Sequence, residues 1–270
     1  ELLKNSVPDL KNNPEILEFL TQYTQSGFGS VITFLIIGTL LTIVVQSSSA
    51  TMAITLIMVS KGWISYELGA AMVLGENIGT TITANIAAIP ANVSAKRAAL
   101  AHTMFNIFGI VWMLFLFYPF LNMITGLAQT LGLGDPTRFA SVLSEHPEAI
   151  RILSMDSAKL TAEEAVLQTQ LAGYQTSTSY GLSLFHSMFN LINTFIMIWL
   201  ANLIAKAVSF IIKKKENDEE LQLQYITTGM LSTSELSLVQ AWNEIKSYGL
   251  RTHKMFELTR DMTKETNENV

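Results

Sequence analysis

The chain has 270 residues, 49% of them hydrophobic and only 14% charged, with a mean hydropathy of +0.34. Soluble domains carry about 25% charged residues, so this deficit excludes an ordinary water-soluble enzyme, and a net charge of −5 with a pI near 5.4 excludes general nucleic-acid binding. There is no cysteine, which rules out disulfides, thiolate metal sites and cysteine nucleophiles.

Residues 1–27 read as an amphipathic lead-in, with Pro14 opening a short helix that carries Ile16, Leu17, Phe19 and Leu20. The chain opens on Glu1 rather than Met, which suits a piece of something longer. Residues 28–123 hold five charged side chains (Lys61, Glu67, Glu76, Lys96, Arg97), whereas residues 213–270 hold eighteen. The first part therefore reads as lipid-facing and the last as soluble.

Within the apolar part, Val31–Val59 has a polar centre, Gln46-Ser47-Ser48-Ser49-Ala50-Thr51, between two apolar arms. Lipid cannot satisfy such groups at mid-depth. Short arms around a polar tip predict a re-entrant hairpin, with one long helix bearing a polar stripe as the alternative. Leu68–Pro90 carries Gly75-Glu76-Asn77-Ile78-Gly79-Thr80-Thr81 in mid-segment. Its two glycines and intramembrane carboxylate predict a broken helix. Ala98–Phe120 and Leu182–Ile212 are long and apolar enough to cross a bilayer.

Residues 121–181 form the connection between these spans. Helical composition over 147–171, with Thr161 and Glu164 at capping-box spacing, predicts a small helical insert. Lys96-Arg97 before one span and Lys213-Lys214-Lys215 after the other place both clusters in the cytoplasm. The insert is then external and the hairpin dips in from the outside. Residues 213–270 carry apolar residues from Leu231 to Leu258 at helical spacing, with Ser232 and Glu235 again spaced as a capping box. They read as the start of a cytoplasmic helical domain. The fold class is an all-α membrane protein with a soluble helical tail.

The tip offers four hydroxyls and an amide in six residues. A helix starting there presents free N–H groups and its positive dipole end, a site for an oxyanion, while hydroxyls also present oxygen to sodium. Hydroxyls bonded back within a helix are the alternative. In the second segment, Glu76, Asn77, Thr80 and Thr81 are the polar groups available to a cation; a packing role for the glycines and a partnered Glu76 is the other reading. His102-Thr103-Met104-Phe105-Asn106 is echoed by His186-Ser187-Met188-Phe189-Asn190. In each, His and Asn share a helical face, a pattern that usually glues helices together. No Gly-x-Ser-x-Gly elbow, Walker loop or HExxH is present, so no enzyme activity is expected. A serine hydrolase using Ser48 and His102 rests only on the presence of both residue types.

Taken together, QSSSAT at 46–51, GENIGTT at 75–81 and KRAALAHTMFN at 96–106 resemble the bacterial branch of the type II sodium-dependent phosphate cotransporters. The resemblance covers residues 28–120 and 180–258. It implies two inverted repeats, each with a QSSS hairpin and a broken helix. Only one QSSS is present, so this chain looks like the second repeat, paired with a missing first repeat or with a second copy of itself. Residues 223–258 resemble the start of a PhoU-like cytoplasmic domain. The implied function is sodium-coupled transport of inorganic phosphate across the bacterial inner membrane, with sodium as coupling ion, no other cofactor and a cytoplasmic C-terminal tail. Carried over, phosphate and sodium bind at Gln46, Ser47, Ser48, Ser49 and Thr51, with Glu76, Asn77, Thr80 and Thr81 as a second set. A membrane-anchored phosphate-signalling regulator that does not transport is the alternative.

Overall fold

The computed structural model describes residues 27–146, 148–213 and 234–268, and among them there is no strand. The lead-in expected before Gly27, the Lys214-Lys215 pair and Ser232 of the expected capping box lie outside the described residues. Three helices are long and apolar enough to cross a membrane: Phe28–Val45 (α1), Val93–Phe115 (α4) and Ala162–Ile211 (α8). Between them lie Ser48–Ser60 (α2), Tyr66–Ala88 (α3), Phe117–Thr130 (α5), Arg138–Glu145 (α6) and Ala149–Ser154 (α7). The chain is thus a helical membrane protein. Exposed Ile36, Leu40, Val44, Phe115, Phe195, Trp199 and Phe210 lie along the three spanning candidates.

α1 and α2 form a helical hairpin against α3. Thr39 and Thr42 of α1 meet Gly75 and Gly79 of α3 in the same order, so α1 and α3 run parallel. Thr55 and Val59 of α2 meet Glu76 and Gly69 in reverse order, so α2 returns antiparallel. At 1.5 Å per residue α1 is about 27 Å long and α2 about 20 Å. α2 is thus too short to cross a hydrocarbon core of about 30 Å.

α3 is continuous from Tyr66 to Ala88, which corrects the expected break at Gly75–Thr81. The glycines serve close approach instead of unwinding. A Cβ at Gly75 would collide with the Leu35 carbonyl oxygen and lie 2.8 Å from the Thr39 nitrogen. One at Gly79 would lie 2.6 Å from the Thr42 Cβ, and Gly38 of α1 abuts the Met72 backbone in the same way. Small residues let two backbones touch, and van der Waals packing drives helix association in lipid. Thr39 Oγ1 shares its one proton between the Gly75 carbonyl at 3.0 Å and the Leu35 carbonyl of its own helix at 2.9 Å.

Two further boundaries differ from the expected ones. The span placed at 98–120 divides at Leu116, whose φ of −106° and ψ of 15° leave the helical region. Pro119 is the physical reason: its ring would clash with the carbonyl four residues earlier, and proline is tolerated in a helix's first turn. The span placed at 182–212 is instead the second part of the 50-residue α8, which crosses the expected insert boundary without a break. The capping box that starts α8 is formed: Glu164 N donates to Thr161 Oγ1 at 3.3 Å, and Thr161 N donates to Glu164 Oε2 at 2.9 Å. At about 75 Å, α8 exceeds any bilayer core. Its first turns pack Leu171 with Phe139, Val142 and Ala149 of α6 and α7 in a small separate core.

The main core is α3 surrounded by α1, α2, α4, α5 and α8. Ala70, Ala71, Met72, Val73 and Leu74 are all fully buried. Below them Phe117, Phe120 and Phe185 stack edge to face, with centroids 5.4–6.2 Å apart, a favoured arrangement for aromatic pairs. α4 and α8 are antiparallel and joined by Asn193, which donates to the Phe105 carbonyl (3.3 Å) and accepts from Trp112 Nε1 (3.1 Å). Gly109 leaves room for that amide. Residues 215–270 form a second unit, in which Ser234–Glu268 (α9) is one helix with exposed Leu238, Trp242, Ile245 and Phe256.

Candidate functional site at the hairpin tip

The tip is made by two residues. Gln46 ends α1 in the left-handed region (φ 56°, ψ 23°), and its N–H donates to the Thr42 carbonyl at 2.8 Å. It is the one non-glycine with positive φ among the described residues, a conformation uncommon outside glycine and asparagine. Ser47 is extended and caps α2, its Oγ accepting from Ala50 N at 3.3 Å. The Ser47 carbonyl accepts from both Thr51 N (2.9 Å) and Thr51 Oγ1 (3.0 Å). Gln46, Ser47 and Thr51 therefore shape the turn.

The first N–H groups of a helix have no partner within it. The Ser47 cap uses the one on Ala50, which leaves those of Ser48 and Ser49 at the positive end of the α2 dipole. Ser48 and Ser49 line a cavity of about 300 Å³ together with Met52, Glu76, Asn77, Thr80, His102 and His186. Five of the nine expected site residues thus meet in one place: Ser48, Ser49, Glu76, Asn77 and Thr80. Gln46, Ser47 and Thr51 stand behind them in the tip. Thr81 is fully buried and donates to the Ile78 carbonyl at 2.8 Å, away from the cavity lining.

Glu76 is buried, and its Oε1 accepts a 2.7 Å hydrogen bond from Thr55 Oγ1 of α2, itself fully buried. This contact ties the hairpin's second arm to α3. Thr80 Oγ1 donates to the Glu76 carbonyl (2.9 Å) and Asn77 Nδ2 to the Val73 carbonyl (3.2 Å). Each keeps its acceptor oxygen free of those bonds. No lysine or arginine lines the cavity. A carboxylate with neutral oxygens around it can bind a hard cation such as sodium. The serine hydroxyls and helix N–H groups can bind an oxyanion.

Three lining residues were absent from the expected set. Met52 comes from α2, His102 from α4 and His186 from α8. For the histidines the signal was the HTMFN/HSMFN echo, whose His/Asn face was read as helix glue. In the structure Thr103 of the echo joins α4 to α3 by accepting from Asn85 Nδ2, and Asn193 joins α4 to α8. In the echo, Asn106 and Asn190 each donate to the backbone carbonyl of their own helix's histidine, at 3.1 and 2.9 Å.

Residues 7–133 match the family model described as Na+/Pi-cotransporter. The chain is 39% identical over 104 residues to the uncharacterized protein YqeW of Bacillus subtilis, covering 38% of this chain and 32% of that protein. It is 24% identical over 230 residues to the putative inorganic phosphate export protein YjbB of Salmonella typhimurium, covering 85% of this chain and 34% of that one. It is 36% identical over 123 residues to the sodium-dependent phosphate transport protein 2A of Ovis aries, covering 44% and 18%. The chain thus spans about a third of the length of these bacterial relatives. No solved structure matches. The hairpin, α3 and α4, with every cavity residue except His186, fall inside the part of the chain that matches a Na+/Pi-cotransporter domain.

Proposed function

We propose that this chain is one repeat of a sodium-coupled transporter of inorganic phosphate, with the cavity at the hairpin tip as its share of the substrate site. The observation that carries the reading is the meeting of Ser48 and Ser49, at the start of α2, with Glu76, Asn77 and Thr80 of α3. One wall suits the anion and the other suits sodium. The similarity to relatives named for phosphate export and for sodium-dependent phosphate transport supports phosphate as the oxyanion. The shortness of α2 supports a hairpin that re-enters on its own side of the membrane. Residues 1–27 then lead in, 121–181 stand outside and the tail from 213 begins a PhoU-like domain in the cytoplasm, with the bacterial inner membrane as location. A site between two repeats requires a first repeat or a second copy of this chain.

The test is labelled-phosphate flux in proteoliposomes containing the full-length protein, with a sodium or a choline gradient, alongside phosphate binding in detergent. Sodium-dependent flux is expected. Binding without flux would replace transport by the signalling-regulator reading, and neither would overturn phosphate altogether. Ser48→Ala removes one hydrogen bond to a charged ligand and should weaken phosphate binding roughly 10-fold to 150-fold with the fold intact. Unchanged binding in both Ser48→Ala and Ser49→Ala would remove the tip from the site.

A further inference from the structure

The cavity lining contains two imidazoles whose ring nitrogens the fold does not use. The HTMFN/HSMFN echo puts a histidine on each of two antiparallel helices. In both copies the asparagine side chain bonds the histidine's backbone carbonyl, which leaves the ring free. Neither ring has a hydrogen-bond partner among the described residues, and neither contacts a carboxylate at ion-pair distance. The hydrogen bonds that join α4 to α8 are made by Asn193, with Trp112 Nε1 and the Phe105 carbonyl, and by Arg97, which donates to the Ile212 carbonyl at 2.9 Å. Yet both rings reach the same 300 Å³ space as Ser48 and Ser49.

A tetrahedral oxyanion presents four oxygens. Two hydroxyls and two helix N–H groups come from one side only, that of the α2 start. On α3, Glu76 is an acceptor and repels an anion, Thr80 directs its one donor into its own helix, and Asn77 spends one of its two N–H donors there. The donors missing on the remaining side are supplied by His102 and His186, the two groups in the lining able to carry positive charge. A neutral imidazole also has one donor and one acceptor nitrogen. It can donate to a P–O⁻ oxygen and accept from a P–OH. At neutral pH phosphate carries such a proton and sulfate does not.

We propose that His102 and His186 are ligand-binding residues that form the α4/α8 wall of the site and select a protonated oxyanion over sulfate. The proposal rests on the phosphate reading above. No covalent step is involved; donation holds in either charge state of the ring, and acceptance from a P–OH, which carries the selectivity, belongs to the neutral ring.

Calorimetry of the detergent-solubilised full-length protein in sodium buffer, with inorganic phosphate and with sulfate, tests it. Wild type should bind phosphate well above sulfate. His102→Phe and His186→Phe keep an aromatic ring of similar size without nitrogen. Each should weaken phosphate roughly 10-fold to 150-fold, the range for one hydrogen bond to a charged group, and narrow the margin over sulfate. His186→Gln, which restores a donor and an acceptor, should recover part of the loss. Phosphate binding and selectivity equal to wild type in both Phe variants would overturn the inference alone. No phosphate binding by wild type would overturn the phosphate reading and this inference with it. A measurement without variants covers misfolding: phosphate should protect His102 and His186 from diethyl pyrocarbonate, read by mass spectrometry, while exposed His146 and His253 react as before. Equal labelling with and without phosphate would also overturn it.

Discussion

Gly75→Ala tests the packing that holds the site together. The added methyl would fall on the Leu35 carbonyl oxygen and within 2.8 Å of the Thr39 nitrogen. Both are backbone atoms of α1 and cannot rotate away, so the helices must separate. Overpacking of this kind costs about 1–3 kcal/mol. Separation also breaks the Thr39–Gly75 hydrogen bond, worth about 1 kcal/mol. Against this, alanine is the better helix former by about 1 kcal/mol. The net expectation is a loss of about 1–3 kcal/mol. Gly173→Ala is the matched control, because Gly173 also lies inside a helix and a Cβ there meets nothing within 4 Å. It should be neutral or gain up to about 1 kcal/mol. The two variants then differ by about 1–4 kcal/mol, which for a chain of this size is at least about 2 °C in Tm. Thermal unfolding in detergent, followed by tryptophan fluorescence, measures it. Equal melting of the two variants would refute the close-approach account and return the α3 glycines to a role in unwinding.

Glu76→Gln should make phosphate binding less dependent on sodium while preserving the Thr55 contact; a wild-type sodium dependence in titrations with and without sodium would remove Glu76 from the cation site. At the start of α8, the Thr161 backbone N–H, then Arg151 and the Thr161 hydroxyl, hold the Glu164 carboxyl below the usual carboxylate range. That contribution to the helix start is complete above the ordinary carboxylate pKa of about 4.3 and is lost as pH falls through the lowered value, so hydrogen-exchange protection at Ala162–Ala165, corrected for intrinsic rates, should fall below about pH 4 and be flatter with pH in Glu164→Gln; identical profiles would refute the link.

What was legible in the sequence was whatever depends on local chemistry. A polar run inside an apolar segment has to turn or be covered, so the QSSS tip was visible at Gln46–Ser47. A Thr and a Glu three residues apart specify a helix start wherever the rest of the chain goes, so Thr161 was visible too. The glycines of α3 were not, because Gly75 and Gly79 look the same whether they permit unwinding or admit another backbone. Only the position of α1 decides between the two, and that is a contact across 36 residues. The histidines failed for the same reason. Periodicity puts His102 and Asn106 on one face, but which neighbour that face meets depends on how α4 and α8 cross. Asn193, without any repeated pattern to mark it, turned out to join those helices at mid-length, and Arg97 joins them at the end of α8.

The charge balance of the cavity bears on why phosphate and sodium would travel together. Glu76, as a carboxylate, and an oxyanion about 5 Å away repel by about 3 kcal/mol at an effective dielectric of 20, and no lysine or arginine in the lining offsets this. The repulsion is comparable to what one or two charge-assisted hydrogen bonds from the tip would return. An anion entering alone therefore gains little. A sodium ion bound first at Glu76 cancels that repulsion, and the same hydroxyls and N–H groups then hold the anion at a net gain. Under the proposed function, coupling needs no long-range conformational relay at this step. It follows from placing one carboxylate, tied down by Thr55, beside a helix start that binds anions.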